Sequence, residues 1–256
     1  GYCQRIIPST NIPTKPIYGI LHKMKNPLLA LRLKVGLLIT EIVRRRNGFV
    51  TFFGEPDRVA IMDLIKKIRR SGHTRLLLSD DEAYHLVNFL HQTAKIPGNI
   101  AELGSYRGAS AKLMAEAMKS GDNREIHLFD TFEGMPEVAE VDKPVFRAGQ
   151  CVPVYDEVVK LLSPYSKIHL HKGLFPTTTK PVEQMKFTLV HLDPDIYESI
   201  KAGLEFFYPR MSSGGVILLH DYPNGPGVVQ AINEFMADKP QSFFEAGWRQ
   251  CFIVKP

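Results

Sequence analysis

Two polar clusters follow apolar runs in a way that suits chemistry at the end of a strand. Asp193 comes directly after the run Phe187 to Leu192, and His220-Asp221 directly after Val216 to Leu219. Short continuous apolar runs read as strands covered on both faces, so each polar group is projected from a strand's carboxyl end, where ligands bind in open α/β sheets. If the two strands are neighbours, the side chains converge. Acids gathered from two strand ends form a candidate site for a divalent cation. A third run closes on an acid in Leu128-Phe129-Asp130. A fourth stretch, Ile100-Ala101-Glu102-Leu103-Gly104-Ser105-Tyr106-Arg107-Gly108, reads as a strand that stops, turns tightly on glycine and opens a helix. Such a junction brings backbone and a helix N-terminus close to a ligand.

The spacing of that turn separates ligand classes. A dinucleotide fingerprint needs G-x-G-x-x-G with an acid about 20 residues further on. Here the glycines are Gly104 and Gly108, and the acid Glu102 sits two residues before the first. That is not the dinucleotide pattern, although a nicotinamide oxidoreductase would use the same class of fold and stands as a rival.

The elements that must position these residues can be read around them. Ser79-Asp80-Asp81-Glu82 matches a capping box and opens a helix through about Lys95. Strand and helix patterns then alternate: strands at 99–103, 125–129, 167–171, 187–192 and 215–220, and helices at 108–119, 154–162, 197–207 and 226–237. The runs 242–245 and 249–254 are too close for a helical crossover and should pair as an antiparallel hairpin. The fold class is therefore α/β, a doubly wound, mostly parallel seven-stranded sheet with a C-terminal antiparallel hairpin and a helical N-terminal extension. Residues 131–153 form a long connection rich in Gly and Pro, either a lid over the site or a mobile loop.

Composition bounds the rest. The chain of 256 residues is 44% hydrophobic and 23% charged, an ordinary globular balance that needs no disulfide or metal staple. Cys3, Cys151 and Cys251 lie far apart, which argues against a disulfide framework or a thiolate metal cluster and suits a reducing cytoplasm. The net charge of +5 is uneven: residues 21–75 hold thirteen Lys/Arg against four Asp/Glu, or about +9 (13 minus 4). No apolar run reaches the roughly 18 residues of a membrane span, and no signal peptide is indicated. Residues 1–75 read as an N-terminal arm and basic extension, and 76–256 as the catalytic domain. Within the extension, Leu31, Val35, Leu38 and Ile42 mark an amphipathic helix over 28–46. Its stripe could pack on the domain, on a second subunit, on an anionic membrane surface or on an acidic partner. Nucleic acid is not expected, since no nucleic-acid motif accompanies the basic residues.

Beyond these single features, the series Ala101 to Gly108, Leu128 to Pro136, Gly173-Leu174-Phe175-Pro176, Leu192-Asp193 with Tyr197-Glu198-Ser199, Tyr208-Pro209-Arg210, Gly214-Gly215 and His220-Asp221-Tyr222 resembles the macrocin O-methyltransferase family. The resemblance spans about residues 79–255. It implies a Rossmann-like class I fold, S-adenosylmethionine as cofactor, and a hydroxyl of a sugar or glycosylated natural product as acceptor. It implies cofactor contacts from Glu102, Gly104, Ser105, Gly108, Asp130, Phe132 and Asp193, with Asp130 accepting from the ribose hydroxyls or else capping the following segment.

The resemblance also implies magnesium held by Asp193 and a pair of aspartates before Tyr222. Here the first of that pair is His220. Because imidazole suits more borderline metals than magnesium, three readings stay open: His220 joins Asp193 and Asp221 around a metal such as manganese or iron, His220 is a general base beside a metal held by the two acids, or His220 does the proton work with no metal. Asp195 is read as a helix N-cap in preference to a further ligand, and His169, His171 and His191 as structural. A catalytically idle module recruited through its basic helix is the remaining alternative.

Overall fold

A computed structural model of the chain describes residues 56–72, 74–247 and 249–256. The amphipathic helix expected over 28–46 and the arm before it lie outside the described residues. The compact unit runs from Asp57 to Pro256. It begins with α1 (Pro56–Arg70), a helix the sequence reading assigned to the extension. Ile61, Met62, Ile65 and Ile68 bury one face of α1 at spacings of 1, 3 and 3 residues. Arg69 secures its end by pairing with Asp80 at 2.7 Å and donating to the Leu76 and Leu78 carbonyls.

The next helix, α2 (Asp80–Gln92), starts where the capping box placed it. Ser79 Oγ accepts from the Glu82 N–H at 3.4 Å while Glu82 Oε2 accepts from the Ser79 N–H at 2.6 Å. The reciprocal bonds satisfy donors that an α-helix otherwise leaves unpaired. From there the alternation holds: β1 (Asn99–Leu103), α3 (Ala109–Ala117), β2 (Ile126–Asp130), α4 (Tyr155–Leu162), β3 (Ile168–Lys172), β4 (Phe187–Leu192), α5 (Tyr197–Phe207), β5 (Met211–His220), α6 (Pro226–Met236), β6 (Phe244–Ala246) and β7 (Gln250–Val254). β5 starts four residues before the strand expected at 215–220, carrying Gly214 and Gly215 through an irregular register against β4.

The seven strands lie in the order β3-β2-β1-β4-β5-β7-β6. β3 through β5 are parallel, and β7 runs antiparallel to both β5 and β6. All six residues of β4 are buried, as a central strand with helices on both faces requires. One face is built by Ala101, Leu103, Val190, Leu192, Ile217 and Leu219 with α5 and α6 against them. The order reverses between β1 and β4, so these strands' carboxyl ends flank the switch point, the place where such sheets bind ligands.

Asp142 anchors the connection at 131–153. It is fully buried and its Oδ2 accepts from the Tyr197 N–H at 2.9 Å, capping α5. Met135 and Phe146 pack with Ile196 in a small core of their own. Cys251, on β7, is a buried thiol.

Candidate functional site

β4 and β5 deliver Asp193 and His220-Asp221 to one point, as the apolar runs implied. Their strands are adjacent, with His191 opposite Leu218 and Leu192 opposite Leu219. His220 Nδ1 lies 3.0 Å from Asp193 Oδ1 and 3.2 Å from Asp221 Oδ2. One ligand atom from each of the three residues lies within 4.8 Å of the others. His220 is 7% exposed, yet neither ring nitrogen makes an aligned hydrogen bond. A buried ring nitrogen facing two carboxylate oxygens out of hydrogen-bond line fits a metal ligand.

Two further residues complete the cluster, and neither was assigned a site role from the sequence. Glu82, at the first turn of α2, places Oε2 3.3 Å from His220 Nε2. Arg249, in the turn before β7, pairs with Asp221 Oδ1. Glu82 was legible only as half of a capping box, and nothing in the local pattern marks Arg249. Both reach the site by long-range packing.

Burial and charge set the protonation of this cluster. Burial would lower the His220 pKa, but Asp193 and Asp221 outweigh it and hold the imidazole well above its usual range. Burial would raise Asp221, but His220, Asp195 and Arg249 hold its carboxyl far below the usual range. Glu82 is likewise penalised by burial and still held down at about 2 by His220 and Ser79. Asp195 behaves oppositely, since burial and the nearby Asp221 and Asp193 charges push it well up. Charge and burial in the cluster thus favour the protonated forms of His220 and Asp195 and the ionised forms of Glu82 and Asp221. The N-cap role expected of Asp195 is taken by Asp142, because the α5 N–H of Tyr197 points at that carboxylate. Asp195 instead bonds to Asp221.

The glycine turn borders the same point. An added Cβ on Gly104 would fall 2.2 Å from the Asp193 carbonyl oxygen, at φ +89°. What Gly104 admits is therefore the backbone of the β4 exit. An added Cβ on Gly108, also expected at the cofactor, would fall 3.1 Å from Leu162 and 3.3 Å from Val158 of α4. Buried polar atoms without partners lie beside this turn: Ser105 Oγ and Glu102 Oε2. The other Glu102 oxygen takes His191 Nδ1 at 2.8 Å, with both residues fully buried. Two orphaned oxygens at the end of β1 fit a ligand with donor groups, such as the amino group of S-adenosylmethionine's methionine portion.

Asp130 ends β2 with both oxygens engaged, Oδ2 accepting from the Tyr106 N–H at 2.8 Å and Oδ1 from the Phe132 N–H at 2.7 Å. Burial raises its carboxyl against those bonds. Each oxygen retains capacity for a second donor, so the ribose reading and the local turn reading are compatible. Phe132 is buried with its ring 4.9 Å from that of Tyr155. His169 and His171 lie at the β3 edge, stacked with His127 at ring separations of 4.9 and 5.4 Å and away from this cluster.

Comparison with known proteins agrees with this architecture. The sequence profile of the family described as Macrocin-O-methyltransferase (TylF) matches residues 84–242, more than half of the chain. A relative from Streptomyces olivaceus, 8-demethyl-8-(2,3-dimethoxy-alpha-L-rhamnosyl)-tetracenomycin-C 4'-O-methyltransferase, is 30% identical over 140 residues. That match takes in 50% of this chain, and the chain spans only 54% of that relative's length. Among solved structures, the O-methyltransferase NovP superposes with a TM-score of 0.66 at 20% identity, covering 78% of this chain and 99% of that one. An O-methyltransferase from Bacillus cereus in complex with SAH superposes with a TM-score of 0.50 at 15% identity, covering 85% of this chain and 97% of that one. At these identities the structures establish a shared fold, the Rossmann-like sheet of class I O-methyltransferases. No described helix is long and apolar enough to cross a membrane.

Proposed function

The chain belongs to the macrocin O-methyltransferase family, and from that premise we propose that it transfers the methyl group of S-adenosylmethionine to a hydroxyl of a sugar or glycosylated natural product, assisted by a divalent metal. One observation carries this reading: the glycine turn and the acid–histidine cluster share a single strand edge, with Gly104 packed directly on the Asp193 backbone. A donor-binding turn and a group able to handle an acceptor's proton are thereby adjacent. The Streptomyces olivaceus relative is named for methylation of a rhamnosyl-bearing compound, which supports a sugar hydroxyl as acceptor. The SAH complex of the Bacillus cereus neighbour supports the donor.

When bound, S-adenosylmethionine supplies an electrophilic methyl on a positively charged sulfur. Glu102 and Ser105 offer the orphaned oxygens at the end of β1, and Asp130 the spare acceptor capacity at the end of β2. Asp193, His220 and Asp221 would hold a divalent cation, which would supply positive charge against the acceptor oxygen as its proton leaves. The imidazole favours an ion that takes a nitrogen ligand more readily than magnesium does, such as manganese or iron. Asp193 is the cluster carboxylate open to solvent, 24% exposed against 7% for Asp221. It is therefore the group an acceptor hydroxyl reaches and donates to. Most of the acceleration comes from alignment and from stabilising charge on that oxygen.

Calorimetric titration should find binding of S-adenosylhomocysteine and none of NAD. In methyl transfer to a panel of rhamnosyl glycosides, Asp193→Asn and His220→Ala should each lower kcat by about 100-fold or more. Full activity in both variants overturns the assignment.

A further inference from the structure

Glu82 stands out as a buried carboxylate that the proposed reaction does not use. It is 4% exposed, yet it lies on α2, an element that contributes nothing else to the strand-end cluster. Its position is fixed twice. Oε2 accepts from the Ser79 N–H at 2.6 Å, and its carbonyl accepts from Gln250 Nε2 at 3.4 Å. Thus held, the same Oε2 sits 3.3 Å from His220 Nε2, on the ring edge opposite Asp193 and Asp221.

An imidazole has two chemically distinct edges, and the partner of one decides what the other can do. In the neutral ring, a proton on Nε2 faces Glu82 and leaves the Nδ1 lone pair toward Asp193 and Asp221, the arrangement that a cation held by those two acids would need. Histidines that bind metals commonly hand their second nitrogen to a carboxylate in this way, which orients the ring and strengthens its donor nitrogen. Resting on the metal-assisted reading above, we propose that Glu82 is the positioning residue for His220, fixing Nδ1 as the ligand nitrogen that stands in the metal cluster beside Asp193 and Asp221. The capping box that starts α2 is then also the mount of the site's histidine. The His220–Glu82 pair explains how a histidine can serve at a cluster otherwise built of aspartates: it arrives with a carboxylate behind it.

Glu82→Gln separates this role from helix capping, because glutamine also completes a capping box while the negative charge is lost. Ser79→Ala is the converse, weakening the cap without touching His220. Full-length protein and both variants are titrated with Mn²⁺ by electron paramagnetic resonance, and the ¹⁴N modulation of bound Mn²⁺ is recorded by electron spin echo. The wild type should show imidazole modulation. Glu82→Gln should bind Mn²⁺ about 10–100-fold more weakly while keeping its affinity for S-adenosylhomocysteine. Ser79→Ala should melt at a lower temperature with Mn²⁺ affinity within twofold of wild type. Glu82→Gln binding within twofold of wild type, or an equal loss in Ser79→Ala, overturns the positioning role and leaves the metal reading standing. Wild-type binding without ¹⁴N modulation overturns His220 as ligand, and the Glu82 role with it. No Mn²⁺ binding at all overturns the metal reading itself.

Discussion

Gly104→Ala is the substitution that tests the packing of the site most directly. The new methyl carbon would lie 2.2 Å from the Asp193 carbonyl oxygen, 2.6 Å from its carbonyl carbon and 2.8 Å from the Pro194 nitrogen. All three are backbone atoms, so no rotamer change can relieve the contact. The strand ends are also bonded in place, Asp193 N–H to the Leu103 carbonyl and Gly104 N–H to the Phe129 carbonyl, each at 2.9 Å. Two costs add. A non-glycine residue at φ +89° costs about 1–2 kcal/mol, and overpacking typically costs about 1–3 kcal/mol. Their sum, about 2–5 kcal/mol, corresponds to a fall in Tm of roughly 4–20 °C for a unit of this size. Gly121→Ala supplies the control, because Gly121 shares the left-handed backbone at φ +86° but has nothing within 4 Å of an added Cβ. Urea and thermal denaturation of both variants isolate the contact term as their difference. Gly104→Ala should be the less stable by about 1–3 kcal/mol. Equal stability in the two variants refutes the close approach of the β1 and β4 exits.

Other consequences follow from charge and capping. Burial, with His169 and His171 nearby, lowers His127 from 6.5 to about 4, even though Glu125 Oε2 lies 3.6 Å from its Nε2. The fold therefore accepts the neutral ring. This contribution to stability is complete above pH 6.5, falls as the unfolded state takes up the proton first, and levels off below about 4. His127→Phe keeps an aromatic ring in the stack and removes the titration, so the stability gap between wild type and variant, from urea unfolding at stepped pH, should change over that window. A constant gap refutes the linkage. Asp142→Ala removes the side-chain cap of α5 and should cost about 0.5–2 kcal/mol. It should also speed proteolysis within 131–153, and unchanged cleavage would mean that the connection is held by its apolar contacts alone.

Much of this was legible because strand and site share one signal. Asp193 and His220 could be placed at a common edge because each follows a mostly apolar run, and the runs also mark the strands. The capping box at Ser79 was legible because its two partners are three residues apart. What local pattern hides is what a residue does after packing. Glu82 satisfies the capping pattern completely, so nothing in the sequence suggests a second partner 138 residues away at His220. Arg249 and Asp142 arrive from a turn and a long connection, where no period constrains direction. Gly104 shows the same limit: the pattern marks a tight turn there, but only packing shows that an added Cβ would meet the Asp193 backbone.

The backbone itself marks the edge where these groups meet. Among the described residues, five non-glycine positions adopt positive φ: Tyr106, Phe132, Cys151, Asp195 and Asp221. Four of them lie just past the carboxyl ends of β1, β2, β4 and β5. Each costs of order 1–3 kcal/mol and persists only where its surroundings over-determine it. Asp130 provides that determination for two at once, accepting from the N–H groups of Tyr106 and Phe132 and so tying the β1 exit to the β2 exit. Asp221 is held by its pair with Arg249 and by the Gly225 N–H, which donates to its carbonyl at 2.7 Å. A fold that needed only to turn from strand to helix could place glycine at all four exits and avoid the strain. Keeping side chains there, among them the Asp221 carboxylate facing His220 and the Asp195 carboxyl bonded to Asp221, is the mark of a site that spends conformational stability on where its side chains point.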